Sequence, residues 1–380
     1  MKITKLMLSA AVAALALVSC NKQDTTPTTN RLKTVEIAID NAVITKGLAG
    51  DKINQGDAVK VNDFKVFLTD AAGKVEFEAK VADGSAAAQT YWDAEDLKDG
   101  ALSAQFHYVD PNCTKVIAIA NVGKDITFDE FLALEALKVE AQQDQKTLVL
   151  YDEETLQSAG TQHNDVNVDG TTYVADVYKA DLVLTPRVSR FEVDGFTVKF
   201  DGEKPKYQEI KISQLAFQNY YPLTSATTGA ESGELVNHIA DLTKQAEVYA
   251  WLDDPAKPEV WYRDYFDITI TPADPTADTP KALAYHMFSC NETPVLVIKL
   301  LADGQPAYLY SKGFFKMDGE NAVEVTEFEE GKIYRMSAAG DVLGDGSIPI
   351  DEDDIDPMDR CLEITVDVID WAVELVFPEF

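Results

Sequence analysis

Thr34-Val-Glu-Ile-Ala-Ile-Asp-Asn-Ala-Val-Ile-Thr-Lys-Gly47 is the stretch on which the reading of this chain turns. Val35, Ile37 and Ile39 alternate with Glu36, Ala38 and Asp40, the period-2 pattern of a strand with one buried face. A few residues on, Lys46-Gly47 sets a basic residue among small ones, a bond that a trypsin-like protease can enter. A core strand followed at once by a cleavable segment is an unusual pairing. A chain that loses its first strand has a gap to refill, and refilling it is an act of assembly.

Upstream, residues 1–20 read as a targeting segment and not as fold. Lys2 and Lys5 form a positive start, and Leu6 to Val18 an apolar run ending in Leu17-Val18-Ser19-Cys20. That run is too short to span a bilayer, which takes ~20 apolar residues. An ordinary secretory signal accounts for this much. Cys20 followed by Asn21-Lys22-Gln23-Asp24 and a Thr/Pro spacer to Asn30 resembles a bacterial lipoprotein signal, with Cys20 lipidated as the new N-terminus. The precursor is then anchored to a membrane without crossing it.

Beyond residue 30 some 350 residues remain, enough for two domains with real cores. The chain carries 65 acidic and 33 basic residues, a net charge of −32. Residues 1–46 hold six of the basic and three of the acidic ones, so the remainder stands near −35. Such a surface repels nucleic acid and anionic lipid and favours solubility. With Cys20 set aside, Cys113, Cys290 and Cys361 are an odd number, which allows one disulfide at most. Stability must come from cores.

Working outward, short apolar or alternating runs recur between Gly, Asp, Asn and Pro. Strands are expected at Ala58–Thr69, with a bulge near Asn62-Asp63, and across the loop Asp70–Gly73 at Lys74–Ala79. Further strands are expected at Leu102–Tyr108 and Cys113–Asn121, the latter apolar enough to be buried on both faces. Thr127 and Glu130 make a capping box ahead of Phe128, Phe131, Leu132 and Leu134, predicting a helix that ends before Gln145. Leu148–Tyr151 and Tyr173–Leu184 resume strands, and Leu184-Thr185-Pro186-Arg187 is the expected domain boundary.

The second half repeats the style. Strands are expected at Phe191–Val198, Tyr207–Tyr220, Tyr265–Thr271 and Ala282–Phe288. Val295–Leu301 and Ala307–Ser311 flank the hairpin signal Asp303-Gly304, and Val323–Phe328 and Lys332–Met336 follow. Leu235, Ile239 and Leu242 mark a short helix, and Asp341–Asp359 reads as an acidic loop. The fold class is mainly β: two β-sandwich domains in series with one or two short helices.

The last twenty residues mirror the first strand. Leu362, Ile364, Val366 and Val368 share one face; after Asp370 the parity changes, and Trp371, Val373, Leu375 and Phe377 share another. A one-residue shift turns every side chain over, so the segment is two strands or one with a corner at Asp370. The plain reading is a C-terminal strand in its own sandwich. The sharper one is a strand offered to a neighbour's open sheet edge.

Catalytic and metal signatures are absent from the sequence. His107, His163, His238 and His286 stand in no His-Glu-x-x-His array, and no nucleophile elbow, phosphate loop or Cys-x-x-Cys pair occurs. The sequence points away from an enzyme, a cofactor or a metal centre. Asp165-Val-Asn167-Val-Asp169-Gly170, with Asp176 at the twelfth place, approaches a calcium loop, but Asp replaces the final Glu and a polar turn into a strand explains it as well. Asp351-Glu-Asp-Asp354 reads as solvated surface or a run-up to the terminal strands. Trp92, Trp251 and Trp261 suit core packing; exposed, they would stack on sugars, which keeps a surface glycan-binding lipoprotein as the rival reading.

Several of these pieces together resemble the fimbrillin family, the major pilus subunits of Bacteroidetes that build type V pili. They are the signal ending at Cys20, the strand Val35–Asp40, Lys46-Gly47, and Val116-Ile-Ala-Ile-Ala-Asn-Val-Gly123. Leu184-Thr-Pro-Arg-Val-Ser-Arg-Phe-Glu-Val193, Gly331-Lys-Ile-Tyr334 and Val366-x-Val368-x-x-Trp371 complete the set. The resemblance implies transthyretin-like sandwiches and a division into a signal (1–20), a linker and removable first strand (21–46), sandwiches at 47–186 and 187–360, and terminal donor strands (361–380). It implies a lipidated precursor at the outer membrane, a protease cutting between Lys46 and Gly47, and loss of the strand carrying Val35, Ile37 and Ile39. The donor strand of another copy or a related subunit, with Trp371, Val373, Leu375 and Phe377, then fills the groove in an adhesive fimbrium on the cell surface. Lys46 departs from the Arg that the family carries at the cut. Arg31 precedes the strand, where a cut would free the lipid yet leave the groove filled. An anchor or tip subunit of the same pilus is the further alternative; an anchor needs no cut and a tip no donor strand.

Overall fold

The computed structural model describes residues 33–39, 63–72, 103–122, 138–140, 148–166, 172–225, 231–232, 235–236, 252, 262–288, 294–318, 321–337, 346–355 and 361–370. Nearly all of them are strand. In the first half these are β1 (Lys33–Ile39), β2 (Phe64–Thr69), β3 (Ser103–Val109), β4 (Lys115–Ala120), β5 (Lys138–Glu140), β6 (Leu150–Thr155), β7 (Gln157–Val166), β8 (Thr172–Leu182) and β9 (Thr185–Pro186). The second half adds β10 (Ser189–Lys199), β11 (Ile210–Gln218), β12 (Leu223–Ser225), β13 (Glu231–Ser232), β14 (Arg263–Ile270) and β15 (Thr276–Met287). It ends with β16 (Val295–Ala302), β17 (Gln305–Asp318), β18 (Asn321–Glu324), β19 (Lys332–Ser337), β20 (Ser347–Asp351) and β21 (Cys361–Asp370).

Two four-stranded sheets, ordered β3-β1-β8-β7 and β2-β4-β6-β9, share one hydrophobic cluster. Val35 and Ile37 of β1, Phe106 of β3 and Ala180 and Leu182 of β8 lie in it with Phe64, Val66 and Leu68 of β2. β4 is buried without a break from Val116 to Ala120, as an uninterrupted apolar run requires. This is the β-sandwich that the alternating runs predict.

The second cluster is wrapped by one sheet of order β14-β11-β16-β17-β21-β19-β10-β15, with β18 on β17 and β20 on β10. Phe191 of β10 lies 5.4 Å from Phe217 of β11, two strands far apart along that path, so the sheet folds over on itself around the rings. Phe191 also meets Phe314, Phe328 and Tyr334 at 5.6, 4.4 and 5.4 Å. Aromatic contacts at these separations add to the plain burial of area. The handover between clusters falls between Val188 and Phe191, while Tyr262 packs against both.

Local signals hold where turn chemistry is explicit. Asp303 and Gly304 take positive φ of 46° and 78° and close the β16–β17 hairpin on Ala302 and Gln305, as a two-residue Asp-Gly loop requires. Asp70 caps its own turn by accepting from the amide of Ala72 at 2.8 Å.

Lys138–Glu140 form β5 and pair with β12, so the helix expected from Thr127 to end before Gln145 has no room beyond residue 137. Two expectations are corrected. The acidic loop Asp341–Asp359 contains β20, parallel to β10, and a 3-10 turn at Glu352–Ile355. Within it Glu352 is buried, not solvated: its carboxylate accepts from the backbone amides of Asp201 (2.5 Å), Lys206 (2.8 Å) and Tyr207 (3.4 Å). β7 carries no alternating apolar signal, since its residues Gln157–Asn164 are polar and, Ala159 apart, exposed at the sheet edge. Asn62 of the bulge expected near Asn62-Asp63, the strand 74–79 and the rest of both helices, Leu235 aside, lie outside the described residues.

Candidate functional site

The first strand is an interior strand. β1 runs antiparallel to β3 and parallel to β8, so it is hydrogen-bonded on both edges, and its pairing with β8 holds at every residue from Lys33 to Ile39. Val35 sits between Phe106 and Tyr178, Ile37 between Ala104 and Ala180, and Ile39 pairs with Leu182. Val35 and Ile37 are 0% and 1% exposed. Each such side chain contributes about 1.5–3 kcal/mol by burial. On the opposite face Glu36 accepts from Gln105 Nε2 at 3.2 Å and pairs with Lys179 Nζ at 2.7 Å, which raises the pKa of Lys179.

A strand in that position differs from an edge strand in what it leaves behind. Taking β1 out opens the facing edges of β3 and β8, two rows of backbone donors and acceptors, and uncovers the cluster beneath Val35 and Ile37. Any extended segment with the same period can satisfy both edges at once. The groove is therefore specified chiefly by backbone, with side-chain sockets on one parity.

One socket was missed in the sequence. Lys33 shares the face of Val35 and Ile37 and is buried, with Nζ 2.5 Å from the carbonyl of Cys113 and 4.3 Å from the centre of the Tyr178 ring. Burial lowers its pKa against the attraction of Cys113, Asp110 and Asp176. The signal was present: Lys33 lies two residues before Val35, in phase with the apolar positions.

Of the other predicted site residues, Cys20, Lys46, Gly47, Trp371, Val373, Leu375 and Phe377 lie outside the described residues. The segment before residue 371 is placed: β21 (Cys361–Asp370) runs between β17 and β19. That position holds Cys361–Asp370 within this chain's own sheet.

The remaining polar candidates fall apart in space or serve structure. Asp165 pairs with Tyr173 and Asp176 with Gln162, on separate rungs of the β7–β8 hairpin, and Asp176 accepts from Gln162 Nε2 at 3.0 Å. His107 and His163 bring their rings to 5.7 Å. His286 is buried, its Nε2 3.2 Å from Arg190 Nη1, and Arg190 Nε donates to Glu192 at 2.6 Å. Among the described residues no three His, Cys, Asp or Glu gather as a metal site, and no helix is long and apolar enough to cross a membrane. Trp92, Trp251, Trp261 and His238 lie outside the described residues.

No family model and no curated protein matches this chain. Among solved structures it is similar to a fimbrilin from Porphyromonas gingivalis, with a TM-score of 0.49 and 12% identity, covering 91% of this chain and 99% of that one. A candidate cell adhesion protein from Parabacteroides distasonis is similar at a TM-score of 0.46 and 16% identity, over 92% and 99% of the two chains. Another from Bacteroides eggerthii stands at 0.45 and 11%, over 91% and 98%. The family that the sequence motifs resemble is thus represented among these structures.

Proposed function

We propose that the chain is a structural subunit of a cell-surface pilus, polymerised by exchange of its first strand for the terminal strand of a neighbour. It is exported as a lipoprotein on Cys20, held at the outer membrane, and cut between Lys46 and Gly47 by a trypsin-like protease. β1 then leaves the sandwich of residues 47–186, and Trp371, Val373, Leu375 and Phe377 of another copy occupy its place. The sandwich of residues 187–360 and β21 pass the connection to the next subunit. The role is mechanical and adhesive, with no chemistry assigned to any side chain.

One observation carries this reading. The first strand, seven residues before the candidate cut, is an interior strand buried against the core, so cleavage there opens a groove rather than trimming an end. The parity change after Asp370 in the sequence supports a separate final segment.

The test is the N-terminal residue of the protein on the cell surface, together with removal of residues 371–380. Gly47 as the surface terminus, and folded lipidated monomers from the truncation, are expected. A surface protein that keeps its lipidated N-terminus and stays monomeric would instead favour a glycan-binding lipoprotein. Normal fibres from the truncated chain would sink the proposal.

A further inference from the structure

We infer that Lys33 makes β1 a weak occupant of its own groove, so that a neighbour's strand with no cation at that rung displaces it and the exchange runs one way. This rests on the strand-exchange reading above. Lys33 is 8% exposed, on the face of β1 that Val35 and Ile37 bury. An ammonium carries three N–H donors. Among the described residues its hydrogen-bond acceptor is the carbonyl of Cys113, with the face of Tyr178 beside it. Asp110 and Asp176 attract it, yet burial outweighs them and the charged form is held less well than in water.

A buried charge with incomplete compensation is commonly weaker than an apolar side chain of the same volume. The occupant that answers this is residues 371–380 of a second copy, Trp-Ala-Val-Glu-Leu-Val-Phe-Pro-Glu-Phe, which hold no Lys or Arg. Its apolar parity can fill the sockets of Val35 and Ile37 while the ammonium of Lys33 returns to water with the departing strand. β1 is long enough to complete the fold before cleavage and poor enough to yield afterwards.

The experiment uses the full chain, uncut and after limited cleavage at Lys46, with a synthetic peptide of residues 371–380 as the challenger. Release of the β1 fragment is followed by mass spectrometry against peptide concentration. Lys33→Met is expected to raise the concentration needed about tenfold, and Lys33→Arg to leave it near wild type. The uncut Lys33→Met chain is expected to melt above wild type. A Lys33→Met chain that melts below wild type, or that releases β1 at lower peptide concentration, overturns the inference and makes Lys33 an anchor. If the peptide releases β1 from neither protein, the exchange reading fails, and the melting comparison still decides whether Lys33 weakens β1.

Discussion

The amide of Gly331 donates to the carbonyl of Val188 at 3.1 Å, joining two segments that the sequence sets far apart. β10 then continues in parallel with β19, Arg190 opposite Ile333 and Phe191 opposite Tyr334. The two motifs Leu184–Val193 and Gly331–Tyr334 are one structural unit at the handover between the cores.

Gly331 has φ of +69°, and a Cβ there would stand 2.4 Å from Cγ2 of Thr185. Gly331→Ala therefore carries both a left-handed backbone and a collision. It is expected to destabilise by about 2–3 kcal/mol. Thr185→Ser removes the obstructing methyl, so the double variant should recover part of the loss, leaving only the backbone strain. Denaturant midpoints of the three variants measure this; equal losses in single and double variants would mean that the methyl contact is irrelevant.

Glu330, beside that glycine, gives a pH signature of unusual sign. Its carboxylate pairs with Arg187 at 3.0 Å, yet burial outweighs the pair and raises its pKa above the ordinary value of 4.5. A pKa raised in the folded state means that the native protein binds the proton more tightly than the unfolded chain. The stabilisation is therefore fully present below the unfolded value and is lost as pH rises through the folded one. The melting temperature of wild type relative to Glu330→Gln should be greatest at acid pH and fall from pH 4.5 upward. A difference that grows with pH over that window would contradict the assignment.

The acidic segment shows where sequence reading stops. Period-2 alternation exposes β1 and an unbroken apolar run exposes Val116–Ala120, because the first strand buries mainly one face and the second both. β7 is silent for the converse reason: an exposed edge strand has no apolar parity to read. Glu352 is silent because its value lies in three amides from 201–207, about 145–151 residues away, which no local pattern encodes. Lys33 was legible as a phase match but not as a burial, since the carbonyl and ring that hold it come from Cys113 and Tyr178.

Glu352→Ala leaves three backbone donors without their acceptor and is expected to cost about 2–4 kcal/mol. Glu352→Gln keeps one oxygen and should cost less. Hydrogen exchange at the amides of Asp201 and Lys206 should quicken in the Ala variant before global unfolding is reached. Unchanged exchange there would show that these amides find another partner.

Arg190 and Glu192, two residues apart on β10, form a buried pair with side chains 7% and 0% exposed. Removing one member takes from the other charge its ion-pair partner in low dielectric, which costs about 3–5 kcal/mol. Arg190→Met alone should therefore be much worse than Arg190→Met with Glu192→Met, and the cycle should show positive coupling. Additive losses, with the double variant worse than either single one, would mean that each side chain stabilises through other contacts.

Ile37 offers a test in which one residue matters at one stage and not at the next. It is 1% exposed in the uncut chain, so Ile37→Ala is expected to cost about 2–4 kcal/mol there through lost burial and the cavity left behind. If β1 is discarded on assembly, the same substitution should leave the denaturant resistance of the fibre unchanged. Ile119 of β4, also 1% exposed in the same cluster, is the control: Ile119→Ala should weaken both the uncut chain and the fibre. An Ile37→Ala fibre as weakened as the Ile119→Ala fibre would mean that β1 stays in its groove, and strand exchange at this site would be excluded.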